Sequence, residues 1–190
     1  MQDRGNTVRH TSATETISIT LLLVVTVFGF THSGWGQQNQ LTEQIRHELA
    51  MLPYITVFEY LSFQVEGSKV TLRGYTVRPT NRSTAQNVVQ RIEGVEQVDN
   101  QIEVLPLSSF DRRIRAAVRA RLQRVLPRYF AGSRPSVRII VKNGNVTLLG
   151  VVDSERDKQI AGAQTNGVNG VFGVSNDLAV QPSQANNEND

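Results

Sequence analysis

Side chains able to do covalent chemistry are scarce in this chain of 190 residues, which has no cysteine and three histidines. A serine or threonine nucleophile needs a histidine base within hydrogen-bond reach. Beyond residue 36 the only histidine is His47, which sits beside Glu43 and Glu48 in a setting typical of a solvated helix surface. The absence of cysteine also removes disulfides and thiolate chemistry. The sequence therefore predicts a protein that is not an enzyme and that has no cofactor and no small-molecule substrate.

Three acids alternate at Asp153, Glu155 and Asp157, a pattern that an oxygen-ligand cation site can have. They lie at the start of a predicted helix, where acids are favoured by the helix dipole, and no glycine-centred calcium loop follows. Zinc sites need several histidine or cysteine ligands, which the chain lacks. We therefore interpret these acids as helix-capping residues and predict no metal site.

Two overlapping segments, 167–170 and 170–173, match the GxxG loop with which KH modules clamp nucleic acid. In those modules the loop joins two helices. In this chain it joins a predicted helix to a predicted strand, so we predict no nucleic-acid binding.

Basic residues are concentrated on one predicted helix, from Asp111 to about Leu126. At about 100° per residue, its apolar residues gather in one sector that consists of Ile114, Val118, Leu122 and Val125. Seven arginines lie on or just after the helix, namely Arg112, Arg113, Arg115, Arg119, Arg121, Arg124 and Arg128. Four of them fall well away from the apolar sector, and these are Arg112, Arg113, Arg119 and Arg124.

A basic amphipathic helix suits an anionic surface, because each basic residue near a charged bilayer is worth about 1 kcal/mol. Arginine forks also bind phosphate bidentately. The alternative is an ordinary solvated helix face whose arginines pair with acids elsewhere in the chain. The candidate residues for binding lipid or a protein partner are Arg112, Arg113, Arg119, Arg124 and Arg128.

The arginine helix must be positioned by a sheet, and the clearest sheet signal is the segment 137–150. Val137, Ile139 and Val141 alternate with polar or outward positions, and Asn143-Gly144 is a strong two-residue hairpin signal because both residues tolerate the positive φ of a type I′ turn. Val146 and Leu148 return on the same face, and Gly150 follows.

This hairpin is the second copy of a repeat. The segment Val65 to Gly74 recurs 76 residues later as 141–150, and the same offset carries Gly94 onto Gly170 and Val104 onto Val180. The chain is therefore predicted to be a tandem duplication of two units, 41–106 and 107–182. Each unit reads as α-β-β-α-β, an α+β fold with a three-stranded mixed sheet and two helices packed on one face. Units of about 70 residues are marginal alone, so we expect the two to pack together.

Proline, glycine and helix-capping residues predict where the helices and strands begin and end. Pro53 ends the first helix, whose apolar row is Leu41, Ile45, Leu49 and Leu52. Gly74 is expected to allow a bulge or a close approach where its strand leaves the sheet. A helix from about residue 81 to 92 follows, with Gly94 as its C-terminal cap. Ser108 or Ser109 is expected to cap the arginine helix, and Asp153 or Ser154 the last helix.

The first 36 residues have the organisation of a secretory signal. Basic residues precede an apolar run, Ile17 to Phe30, and small residues follow at Gly34 and Gly36, which predicts cleavage after Gly36. The run is short for a membrane span, which needs about 20 apolar residues. We predict a periplasmic or exported protein, with tethering to the inner membrane by an uncleaved signal as the alternative. At the other end, residues 183–190 are predicted to be a disordered tail.

The repeated segments resemble a known family. Residues 144–150 (GNVTLLG) and 170–180 (GVFGVSNDLAV), with their first copies 69–74 (KVTLRG) and 94–104 (GVEQVDNQIEV), are similar to the BON domain of bacterial envelope proteins. The resemblance extends from Leu41 to Val180. Tandem BON domains behind an export signal are similar to the osmotically induced periplasmic members of that family. The resemblance implies a non-enzymatic protein that binds phospholipid or envelope surfaces.

Two functional hypotheses follow from these observations. In the first, the protein binds anionic phospholipid headgroups or the membrane surface through the arginine helix of the second unit and supports envelope integrity or stress protection. In the second, it is an interaction or assembly module that docks other envelope proteins, and its arginines only hold the two units together.

Overall fold

A computed structural model describes residues 34–132 and 134–181, which all belong to one compact unit of the chain. The predicted tail and the part of the predicted signal before residue 34 lie outside the described residues. Each half of the described chain is an α-β-β-α-β unit, as the sequence predicts. The elements are α1 Gly34–Ala50, β1 Tyr60–Glu66, β2 Lys69–Thr76, α2 Pro79–Gln90, β3 Gln97–Val104, α3 Ser109–Val125, a 3-10 helix Pro127–Phe130, β4 Val137–Lys142, β5 Asn145–Val152, α4 Glu155–Asn166 and β6 Gly173–Val180.

Each unit has one three-stranded mixed sheet, in the order β1-β2-β3 and β4-β5-β6. The first two strands form an antiparallel hairpin, and the third runs parallel to the central strand because a helix carries the chain back across the sheet. The registers match between the units, since Phe63 faces Leu72 in one and Ile139 faces Leu148 in the other. The tandem repeat inferred from the sequence is therefore a repeat of structure.

Glycines serve the two hairpins in different ways. Asn143 and Gly144 both have positive φ, 52° and 79°, as the predicted two-residue turn requires. Gly74 and Gly150 lie inside β2 and β5, with φ of 127° and 115°. A Cβ at Gly150 would overlap the carbonyl oxygen of Ser136, and one at Gly74 would overlap that of Tyr60. The close approach predicted for Gly74 is present, but it lies within the strand rather than where the strand leaves the sheet.

The helices cover one face of each sheet, and most residues of the predicted apolar rows are buried between helices and sheet. In the first unit the buried core residues are Ile45, Leu49, Leu52, Val70, Leu72, Ala85, Val89 and Ile102. The second core is larger and includes Ile114, Val118, Leu122, Val137, Ile139, Val141, Val146, Leu148, Ala161 and Leu178. It also takes in Val57, which precedes β1 in the first unit.

Two helix boundaries differ from the prediction. Helix α2 begins at Pro79, earlier than predicted, because proline already has a helical φ and its missing N–H is no loss in the first turn. The same helix ends with Arg91 as its C-cap, so Gly94 is not the cap. Gly94 has a φ of 90° and forms the turn that leads to β3, as Gly170 (φ 89°) does before β6.

Helices α1 and α3 also differ from the prediction at their ends. Helix α1 begins at Gly34, upstream of Leu41 and of the predicted cleavage position after Gly36. Helix α3 ends at Val125, which is 39% exposed, so only Ile114, Val118 and Leu122 of its predicted apolar sector are buried. Among residues 34–132 and 134–181, no helix has both the length and the apolar character that a membrane crossing demands.

The two units contact each other through the segment that precedes β1. The backbone N–H of Ile139 on β4 donates to the carbonyl of Val57 at 2.7 Å, and the Arg138 guanidinium donates to the carbonyl of Thr56 at 3.1 Å. A salt bridge of 2.7 Å joins Lys142 on β4 to Glu103 on β3. The packing between units that their small size predicts is therefore present.

Candidate functional site

Helix α3 is fixed to the second sheet by its cap and its apolar row. The hydroxyl of Ser108 accepts from the backbone N–H of Asp111 at 3.2 Å, which makes Ser108 the N-cap. The carboxylate of Asp111 in turn accepts from the backbone N–H groups of Asn143 and Gly144, at 3.0 and 2.8 Å. The start of α3 is thus held to the β4–β5 turn, and the outward face of the helix has a defined direction.

The outward face of α3 carries charges of one sign. Arg112, Arg113, Arg119 and Arg124 are exposed, and alanines at 116, 117 and 120 lie exposed among them. The only acid in the helix, Asp111, is fully buried. Within the described part of the chain, no carboxylate pairs with any of these four arginines. They form a basic surface, which we call the arginine face.

The other two arginines of α3 are directed elsewhere. Arg115 is only 6% exposed, and its Nη2 donates to the carbonyl of Val141 at 2.7 Å. Burial lowers the pKa of Arg115, and the nearby carboxylates of Asp111 and Glu59 oppose that shift. Arg121 donates from Nε to the Gln164 side chain on α4 at 2.7 Å. Helical periodicity also leaves Arg115 and Arg121 out of the four arginines that lie well away from the apolar sector, but it does not identify their partners.

Arg128 follows α3, on the 3-10 helix, and it pairs within its own unit. Its guanidinium binds Asp157 and lies 3.4 Å from Asp153, and it stacks over the ring of Tyr129 at 4.8 Å. Asp157 also accepts from the hydroxyls of Ser154 and Tyr129, at 2.7 and 2.8 Å. These bonds, led by that of Ser154, lower the pKa of Asp157. Of the five predicted arginines, Arg128 is therefore the one that the fold already uses.

Two exposed apolar side chains flank the start of α3, and sequence reasoning missed both. Leu107 is 78% exposed and borders a cavity of about 450 Å³ together with Phe58, Val77 and Arg112. Phe172 is 73% exposed and packs on Phe110, with 5.5 Å between ring centroids. The repeat held a signal for Phe172, because the 76-residue offset pairs it with the charged Glu96.

The remaining candidate residues have ordinary structural places. His47 is exposed on α1. Ser154 is the N-cap of α4, accepting from the backbone N–H of Asp157 at 3.1 Å, so the acidic cluster marks a helix start as predicted. In the part of the chain that the structure describes, no three histidine, aspartate or glutamate side chains come close enough to hold a metal ion. The GxxG segments lie between α4 and β6 and so join a helix to a strand.

Comparison with known families matches the model of the BON domain twice, over residues 37–106 and 110–182. The chain belongs to the BON domain family. Its two BON domains correspond to the two structural units described above, and the arginine face lies on the first helix of the second BON domain. No curated protein matches the chain.

Among the solved structures that are similar to this chain, two are of CdsD, a structural protein of the type III secretion system of Chlamydia trachomatis. The C-terminal domain of CdsD is 13% identical with a TM-score of 0.32, and the match covers 75% of this chain and 98% of that one. A second CdsD structure is 12% identical with a TM-score of 0.31, covering 76% of this chain and 94% of that one.

Proposed function

We propose that this tandem BON-domain protein is an exported, non-catalytic envelope protein that binds anionic phospholipid through the arginine face of its second BON domain. In this role it supports envelope integrity or protection under stress. The signal-like residues 1–36 support export to the periplasm.

The observation that carries the proposal is the arginine face itself. Its four guanidinium groups are exposed, have one sign of charge and, among the described residues, have no carboxylate partner. Unpaired cations of one sign on a rigid helix keep their full attraction for an anionic surface. Guanidinium forks also match phosphate geometry. Arg128 is left out of the proposed contact because Asp157 and Asp153 already neutralise it.

Exposed apolar groups next to the arginine face support a membrane rather than a soluble anion as the ligand. Leu107 and Phe172 lie at the start of α3, where Arg112 and Arg113 begin the basic surface. A soluble phosphate offers nothing to these side chains, whereas the boundary between headgroups and acyl chains takes up both apolar and basic groups.

The alternative, that the arginines only hold the two domains together, fits Arg115 and not the arginine face. Arg115 is buried close to Glu59, which belongs to the first domain. A protein-assembly role would therefore use other surfaces of the chain.

Vesicle sedimentation tests the proposal. The purified protein is expected to bind vesicles of phosphatidylglycerol and not of phosphatidylcholine, and binding should weaken as salt is raised. Changing Arg112, Arg113, Arg119 and Arg124 together to glutamine removes about 1 kcal/mol per residue near the surface, so affinity should fall several hundredfold.

A matched control uses exposed arginines on other helices. Arg91 and Arg156 are exposed at the end of α2 and on α4, so R91Q/R156Q removes as much charge as R112Q/R113Q. The control variant should retain most of its affinity, while R112Q/R113Q should lose at least about tenfold. Equal losses in the two variants, or binding that ignores salt, would show that total charge or another surface is responsible.

A further inference from the structure

Strands β1 and β4 each lie at one edge of their sheet, where their outward backbone groups need partners. Both belong to hairpins with two-residue turns, closed by the pairs Glu66–Lys69 and Lys142–Asn145. Counting back from such a turn, alternate residues bond to the partner strand and the others direct their N–H and C=O outward. The outward residues include Phe63 and Val65 on β1, and Ile139 and Val141 on β4.

In the second BON domain this edge is closed. The outward N–H of Ile139 donates to the carbonyl of Val57, and the outward carbonyl of Val141 accepts from Arg115, each at 2.7 Å. The Val57 side chain is 4% exposed and enters the second core. A segment with a β-branched residue at the turn Thr56–Glu59 is therefore already docked on one of the two equivalent edges.

In the first BON domain the equivalent edge is open. Within residues 34–132 and 134–181, no group outside the sheet bonds to the N–H of Phe63 or the carbonyl of Val65. Arg46 follows the buried Ile45 on α1 as Arg115 follows Ile114 on α3, but Arg46 is exposed and binds Glu43 instead.

Apolar side chains on the open edge are incompletely covered. Leu61, Phe63 and Val65 are all half-buried, whereas their counterparts in the second domain, Val137, Ile139 and Val141, are at most 1% exposed. Apolar area of this kind gains roughly 25 cal/mol per Å² when a further side chain covers it. Among the residues that the structure describes, the β1 edge therefore lacks both a backbone partner and a covering side chain.

A cleft of about 770 Å³ lies at the first half of this edge. Four consecutive residues of the strand start, Tyr60 to Phe63, line it, whereas a cavity on one face of a sheet meets only alternate residues. Arg46, Arg134 and Arg138 also line the cleft. Glu59 lies there as well, with its carboxylate held by the backbone N–H and hydroxyl of Thr56, at 2.7 and 2.5 Å.

We propose that the β1 edge binds an extended segment of another protein by strand addition. The segment donates to and accepts from Phe63 and Val65, covers their row with a β-branched side chain as Val57 does in the second domain, and carries acidic residues that face the arginines of the cleft. Among the residues that the structure describes, a second copy of the chain offers no such segment. Its own Val57 is already docked, and the corresponding loop of the second domain, residues 131–136, reads AGSRPS.

The probe for this site is a synthetic capped peptide, EITVFE, which repeats the docking sequence from Ile55 to Glu59 after a glutamate. It is titrated into the purified protein labelled with nitrogen-15. The amide signals of Phe63 and Val65 should shift, and hydrogen exchange at the Phe63 amide should slow at least tenfold. The Ile139 amide should not change, because Val57 already occupies it.

Two variants distinguish the contribution of the Phe63 backbone N–H to peptide binding from that of the Phe63 side chain. F63P and F63A both remove the aromatic ring, and only F63P also removes the backbone N–H. Because this N–H points away from the sheet, an edge strand tolerates proline at residue 63. F63P should weaken binding at least tenfold more than F63A does, with equal thermal unfolding midpoints showing that both fold. An N-methylated peptide, which keeps the side chains and loses backbone donors, should bind at least tenfold more weakly and gives the same test without altering the protein.

Charge provides a third comparison. R46Q/R134Q should weaken peptide binding severalfold and R91Q/R156Q should not. The proposal fails if millimolar peptide leaves the Phe63 amide unchanged, if F63P and F63A bind equally, or if the Ile139 amide shifts instead. The proposal is also overturned if sodium dodecanoate shifts the signals of the same amides and the peptide does not, because the cleft would then be a site for amphiphiles. Vesicle binding by the arginine face is a separate property and should be the same in F63P.

Discussion

At the residue scale, the most connected side chain of the second domain is Asp157. It accepts from Ser154, Tyr129 and Arg128, and the Tyr129 hydroxyl accepts in turn from the backbone N–H of Asp153 at 3.0 Å. One carboxylate thus ties the 3-10 helix to the start of α4. The sequence indicates an acid at a helix start, but the partners from the 3-10 helix lie 28 and 29 residues away in the chain and are set by folding.

Replacing Asp157 with asparagine should destabilise the protein by about 2 to 3 kcal/mol at pH 7, since hydrogen bonds to a buried charged acceptor are the stronger ones. The pKa of Asp157 is lowered in the folded state, so its contribution is present above the unfolded value of about 3.9 and is lost as the pH falls through the lower folded value. Urea unfolding at pH 7 and pH 3 should therefore show a large difference between native protein and D157N that shrinks in acid.

The comparison for this experiment is D153N. Asp153 approaches Arg128 at 3.4 Å with about a third of its side chain exposed, so its ion pair should be worth less than about 1 kcal/mol. A D153N effect as large as that of D157N would contradict the central role of Asp157.

At the element scale, each hairpin contains one strand glycine that a backbone carbonyl of the neighbouring strand segment approaches closely, Gly74 in the first and Gly150 in the second. Alanine at Gly150 meets a backbone carbonyl and a φ of 115°, so G150A should cost more than about 3 kcal/mol. Gly67 is the matched case, with a φ of 60° and open space around it, and G67A should cost about 1 kcal/mol. Denaturant midpoints measure both, and similar losses would show that positive φ rather than the close approach is decisive.

Helices α1 and α3 occupy equivalent places in the two domains and have similar sequence patterns, but their arginines make different contacts. Both carry a buried isoleucine followed by an arginine, at Ile45-Arg46 and Ile114-Arg115. Arg115 turns inward to the β4 edge, whereas Arg46 stays at the surface and leaves the β1 edge open. Periodicity places both arginines on similar helix positions, and only the packing of each helix on its sheet distinguishes them.

At the scale of the whole molecule, the two BON domains support each other unequally. Val57, from the first domain, lies in the second core, whereas the first core contains no residue of the second domain among its buried members. The second domain should therefore depend on the first more than the reverse.

A truncation series tests this asymmetry. Residues 107–182 alone should be less stable than the same domain in residues 54–182, because the longer piece restores the docked segment at Val57. In the full chain, V57A should cost about 1 to 3 kcal/mol from the cavity it leaves. The chemical-shift changes caused by V57A should be concentrated in β4 and α3. Equal stability of residues 107–182 and 54–182 would show that the second domain does not need Val57 for its stability.

The sequence by itself determined the repeat, the α-β-β-α-β order, the apolar rows, the Asn143-Gly144 turn and the basic character of α3. Those features are local or periodic, so spacing along the chain is enough to reveal them. Tertiary structure alone decided which arginines pair with Asp157 or Val141, and which strand edge is closed by Val57. These outcomes depend on contacts between residues far apart in the chain, and two copies of nearly the same pattern reach different results because each packs against different neighbours.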